Sequence, residues 1–238
     1  MNERPVAHEF EGEEMESVLI YPDGAPYPAV LMFPTVAGIA DLERRFAHRL
    51  ADRGLSVMIA DFYGKRYRGC PRPQAIELMG ALRSDRARMR RLLQSIFDAA
   101  REQPEVIAER IVASGYCFGG MCSLDLARSG ADILGAASFH GLFDPPDLPP
   151  QPIKAKVIAF HGWDDPAAPP DAVVEFAKEM TDAGADWQIH AYGNVRHGFT
   201  NPGADKMGSP AVKYDATADR RSWIGFNNFL DELLGPND

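Results

Sequence analysis

Nowhere in the 238 residues is there an apolar run near the roughly 18 needed for a membrane-spanning helix, so no transmembrane role is expected. Cysteine is scarce: Cys70, Cys117 and Cys122 make an odd set of three, which is no disulfide framework. Positive charge is in deficit, with 25 Lys and Arg against 34 Asp and Glu and a formal net charge of −9. That balance lacks the basic stripe of a general nucleic-acid binder. The segment Met1-Asn2-Glu3-Arg4-Pro5 has no apolar core of the kind a signal peptide carries. These absences lead to the expectation of a cytoplasmic protein, monomer or homodimer, whose partner is a small molecule and not a nucleic acid or a membrane.

The chain has ample material for a core, since 45 % of it is apolar. Short apolar runs predict strands over residues 17–21, 29–33, 55–60, 111–115, 136–140, 157–161 and 188–192. Several are apolar throughout, the pattern of parallel strands covered on both faces. Between them, helical periodicity predicts helices over 41–53, 84–101, 119–129, 171–183 and 218–234. Leu42, Phe46 and Leu50 recur every four residues in the first of these. Strands alternating with helices specify an α/β fold built on a mainly parallel sheet. The stretch Asp144-Pro145-Pro146-Asp147-Leu148-Pro149-Pro150-Gln151-Pro152 reads as a stiff surface loop, too short to hold a lid domain. One domain over 1–238 with a fairly open cleft is the expected organisation.

The most informative segment is Gly115-Tyr116-Cys117-Phe118-Gly119-Gly120. An apolar strand runs into Gly-x-Cys-x-Gly and a helical pattern follows at once, the layout of a nucleophile elbow with cysteine at its apex. Glycines on either side remove side chains that would collide in so tight a turn. A sulfur at a helix N-terminus is favoured as thiolate, and the Phe118 N–H points where a carbonyl oxyanion would form. Cys122, five residues on, reads as core and Cys70 as a loop residue. Ser114 lies inside the strand and is a poor rival.

A thiol nucleophile needs a base, and the base needs an orienting carboxylate. His161-Gly162-Trp163-Asp164-Asp165-Pro166 follows one strand, and Gly193-Asn194-Val195-Arg196-His197-Gly198-Phe199 follows the next. This supplies acid and histidine in the chain order the elbow requires. Asp165, directly before Pro166, is favoured over Asp164 as the acid. Among the histidines, His8 falls in a polar tail, His48 in a helix and His190 in a strand. His140 and His161 end strands and could border the cleft. No compact ligand spacing suggests a metal site.

Gly-Tyr-Cys-Phe-Gly-Gly at 115–120, His-Gly-x-x-Asp at 161–165 and His-Gly-Phe-Thr-Asn-Pro at 197–202 together resemble the dienelactone hydrolase family. Asp61-Phe62-Tyr63-Gly64 and the stretch from Tyr214 to Trp223 extend the likeness over roughly residues 15–235. The resemblance implies an α/β-hydrolase fold without a large lid. It also implies a Cys117–His197–Asp165 triad, no metal or organic cofactor, and hydrolysis of an ester or lactone through a thioacyl intermediate. It implies, too, an oxyanion hole made by the N–H groups of Phe118 and Val36. Thr35, Tyr63, Lys65, Trp163 and Asn201 are then the residues expected to face the substrate.

The chain departs from that pattern where the family usually has a glutamate acting on the cysteine. Here that residue is Thr35, so Cys117 is expected to depend on His197 and the helix terminus alone. Lys65 and Asn201 stand where the family's arginines hold a substrate carboxylate. Lys65, Arg66, Arg68 and Arg72 form a basic cluster that could receive an anionic group instead. The loss of acid at position 35 also raises an alternative: a binding or thiol-sensing protein on the same scaffold.

Overall fold

The computed structural model describes residues 1–235. Its strands are β1 (Asn2–Phe10), β2 (Glu13–Tyr21), β3 (Tyr27–Phe33), β4 (Ser56–Ile59), β5 (Val106–Tyr116), β6 (Gly135–Phe139), β7 (Lys156–Gly162) and β8 (Trp187–Tyr192). Its helices are α1 (Asp41–Ala51), α2 (Arg72–Ser84), α3 (Arg86–Arg101), α4 (Phe118–Arg128), α5 (Pro170–Asp182) and α6 (Ala216–Leu234). The strands form one sheet in the order β1-β2-β4-β3-β5-β6-β7-β8. The β1–β2 and β2–β4 pairs are antiparallel and every pair from β4 to β8 is parallel. This is the α/β-hydrolase arrangement, and the proline-rich stretch forms an irregular connection between β6 and β7.

Side chains of a strand alternate between the two faces, and the core divides accordingly. Leu31 and Phe33 of β3 pack with Met89, Leu92 and Ile96 of α3 on one face. Val30 and Met32 pack with Phe46 and Leu50 of α1 and Phe226 of α6 on the other. Because β4 and β6 are buried at every position, they read as continuous apolar runs rather than alternating ones. Among the described residues no helix is long and apolar enough to cross a membrane.

Two elements depart from the sequence reading. Residues 2–10 are not a polar tail but the edge strand β1, which runs antiparallel to β2 along its whole length, so His8 is a strand residue. Only Val6 and Phe10 of β1 are buried, a pattern too sparse to show in the sequence. The helix α2 also carries little signal, because only Ala75 and Leu82 are buried, Pro73 stands in its first turn and Gly80 lies inside it.

Candidate active site

The strand β5 ends at Tyr116, and Cys117 is the residue before α4. Its backbone sits at φ 57° and ψ −118°, a conformation L-residues rarely adopt. Tertiary packing leaves no alternative. A Cβ on Gly115 would lie 2.0 Å from the Gly119 carbonyl oxygen, and one on Gly119 would lie 2.0 Å from that of Phe33. The Cys117 N–H donates to the Phe139 carbonyl at 3.0 Å, which anchors the turn to β6. The thiol is half-buried.

The loop after β7 carries Asp165 and the loop after β8 carries His197. His197 Nδ1 lies 2.7 Å from Asp165 Oδ2. The other oxygen of Asp165 accepts the Ala167 N–H at 2.8 Å, so the carboxylate is held at both ends. Asp165 is buried, whereas Asp164 is exposed and has no part in this pair. Burial works against a charged His197, but its bonds to Asp165 and to the Cys117 sulfur outweigh that and raise its pKa. Burial likewise pushes the Cys117 thiol up. His197 and the N–H groups of Phe118 and Val36 more than reverse this, and the net direction is down. Both shifts favour a thiolate–imidazolium pair.

His140 lies beside the pair, its ring centroid 5.1 Å from that of His197. Its Nε2 is 2.9 Å from Thr200 Oγ1, and burial holds its pKa well below the ordinary histidine value. It is therefore a neutral ring that packs against His197 without adding charge. His161 is buried under the loop of Asp165, with no hydrogen-bond partner for either ring nitrogen. Among the described residues no three His, Cys, Asp or Glu side chains are grouped as metal ligands.

A cavity of about 250 Å³ opens over Cys117. Thr35, Val36 and Glu43 line it from the β3–α1 side, His197, Thr200 and Asn201 from the loop after β8, and Arg72 from the start of α2. A larger cavity of about 430 Å³ lies between the proline-rich loop and α5, but neither Cys117 nor His197 reaches it. Tyr63 does not line the smaller cavity; its hydroxyl donates to the Val36 carbonyl at 3.2 Å and braces the loop from behind. Trp163 is 40 % exposed and outside the cavity.

The basic cluster divides. Lys65 pairs with Glu14 at 2.8 Å and Glu16 at 3.1 Å, away from the cavity. Arg66 pairs with Glu13, and Arg68 bonds to the Glu16 carbonyl. Arg72 alone of the four lines the cavity, and among the described residues it has no acidic partner. The structure also brings in an acid that the sequence reading missed. Glu43 reaches from α1 to Thr35, placing a buried carboxyl in the wall of the cavity. The spacing carried the signal: Glu43, Ala47 and Leu50 fall on one helical stripe, which is the buried one.

Residues 15–234 match the dienelactone hydrolase family. The chain is similar to a dienelactone hydrolase-like promiscuous phosphotriesterase from metagenomic libraries. The two are 33 % identical with a TM-score of 0.91, over 98 % of this chain and 99 % of that one. The solved structure of m3DLH is also 33 % identical, with a TM-score of 0.90 and 98 % of each chain covered. A protein of Aquifex aeolicus (strain VF5) that carries the carboxymethylenebutenolidase name is 25 % identical over 212 residues, 87 % of this chain and 89 % of its own.

Proposed function

Because this chain belongs to the dienelactone hydrolase family and is an ester or lactone hydrolase, we propose that it works through a Cys117 nucleophile, with His197 as its base and Asp165 orienting His197. The observation that carries this reading is the 2.7 Å bond from His197 Nδ1 to Asp165, which leaves the rest of the ring turned to the sulfur at the elbow. Cys117 Sγ bonds to the acyl carbon, and the electron pair of the carbonyl moves onto its oxygen. The Phe118 and Val36 N–H groups receive that oxyanion. As the C–O bond to the leaving group breaks, His197 gives its proton to the departing oxygen. Water then adds to the thioester with its proton passing to His197, the C–S bond breaks, and the acid leaves. Removing one oxyanion donor typically costs on the order of 100- to 1,000-fold in rate.

The unpaired Arg72 at the cavity favours substrates that carry an anionic group near the scissile bond. A guanidinium suits a carboxylate through two parallel hydrogen bonds, and such charge-assisted bonds are the strong ones. Rate assays on aryl esters and enol-lactones, neutral and carboxylate-bearing, test both parts of the proposal. Cys117→Ala is expected to abolish turnover of all of them. Arg72→Ala is expected to raise KM for the anionic substrates alone, by roughly tenfold or more for the lost pair of charged hydrogen bonds. Full turnover by Cys117→Ala would refute the nucleophile, and an equal effect of Arg72→Ala on neutral esters would refute the anion site.

A further inference from the structure

The amides of the loop 34–38 are accounted for one by one. Pro34 has none. The Thr35 N–H donates to Glu43 Oε1 at 3.2 Å, and the Thr35 hydroxyl donates to the same oxygen at 2.8 Å. That hydroxyl in turn accepts the Ala37 N–H at 3.3 Å, and the Thr35 carbonyl accepts the Gly38 N–H at 3.0 Å. Tyr63 holds the Val36 carbonyl. The Val36 N–H is the one amide left over, and it faces the Cys117 sulfur. We infer that Glu43 is a positioning residue for this oxyanion donor, stapling the loop through Thr35 so that the Val36 N–H points at the reacting carbonyl. The inference rests on the Cys117 reading above and adds to it the residue that shapes half of the oxyanion hole.

Glu43 is an expensive way to hold a loop. It is 1 % exposed, and no Lys or Arg among the described residues pairs with it. Its second oxygen, Oε2, is buried without a partner. Burying a carboxyl on such terms is unfavourable, and an apolar residue would suit its place on the α1 stripe better. It occupies the third position of α1, from which a glutamate can fold back over the helix start. Burial raises its pKa from the ordinary carboxylate value, against the bonds from Thr35 that lower it.

Two reactions of the same thiol separate a positioning role from a merely structural one. Alkylation by iodoacetamide displaces iodide from a saturated carbon and creates no oxyanion. Acylation by p-nitrophenyl acetate creates one. Glu43→Leu keeps the bulk but removes both oxygens. It is expected to slow acylation of Cys117 on the order of 10- to 100-fold and to slow alkylation far less, because His197 still holds the thiolate when the Val36 N–H is displaced. Glu43→Gln, whose amide oxygen can still accept from Thr35, should acylate like the wild type. Equal losses in both reactions, or no loss in acylation, would overturn the inference. If Glu43→Leu does not fold, Thr35→Val removes the hydroxyl half of the staple, leaves the backbone N–H bond, and must show the same split at smaller size; its absence overturns the proposal equally. Failure of the nucleophile reading looks different, as wild-type turnover that survives Cys117→Ala.

Discussion

At Cys117 opposing influences meet, and their balance has a sign. Burial disfavours the thiolate, while the bond and charge of His197 and two backbone N–H groups favour it. The favouring set wins, so thiolate should persist below the ordinary thiol pKa of about 8.5. Removing His197 takes away the strongest of those influences and leaves burial in place. Iodoacetamide labelling of the wild type is expected to stay fast as pH falls through that region. In His197→Ala the midpoint should rise to the free-thiol value or above. Coincident pH profiles would mean that His197 does not touch the sulfur. The sequence made the residues of this pair legible through their order and their glycine neighbours. It also favoured Asp165 over Asp164, although only the coordinates explain the difference: one carboxylate is buried and bonded at both oxygens, and the other points to solvent. Glu43 escaped notice because an acid in the first turn of a helix ordinarily serves the helix dipole from outside. The expectation that Cys117 has only His197 and the helix terminus behind it leaves out the Val36 N–H, which also favours the thiolate.

At the scale of elements, the elbow works because two glycines let backbone approach backbone. An alanine at Gly119 would place its Cβ 2.0 Å from the Phe33 oxygen and 2.4 Å from the Pro34 oxygen. Both are main-chain atoms at the root of the oxyanion loop, so relief requires β3 or α4 to move. Gly119→Ala is expected to destabilise the protein by about 1–3 kcal/mol or more and to lower activity beyond what that loss explains. Gly80 is the contrasting case, an exposed glycine inside α2 with nothing within 4 Å of its would-be Cβ. Gly80→Ala is expected to stabilise by about 0.5–1 kcal/mol. Chemical denaturation of both variants checks the pair, and a neutral Gly119→Ala would contradict the packing described for the elbow. The same contrast explains which elements the sequence disclosed. Strands and helices buried on a full face carry strong periodicity, whereas β1 and α2 bury two residues each and give almost none.

Across the whole molecule, the strand order carries the chemistry to one edge. In the parallel part of the sheet every strand's C-terminal end faces the same way. The loops after β3, β5, β6, β7 and β8 therefore deliver Val36, Cys117, His140, Asp165 and His197 to a common rim. Ion pairs from Arg86 and Arg128 to Asp125 and from Arg128 to Glu179, each between 2.6 and 3.1 Å, tie α3, α4 and α5 together behind that rim. The alternation of elements was enough to foretell this frame. Which way each cation of the basic cluster turns was not, because that depends on the acids of β2, which take up Lys65, Arg66 and Arg68 and leave Arg72 to the cavity. The reading of Cys117 as the nucleophile stands or falls on where the acyl group goes. The direct measurement is to quench the protein in acid during turnover of a slow aryl ester and to map the adduct by peptide mass. The acyl group is expected on the peptide containing Cys117, as a thioester released by hydroxylamine and absent from Cys117→Ala. An acyl group on any other residue, or turnover by Cys117→Ala at the wild-type rate, would contradict it.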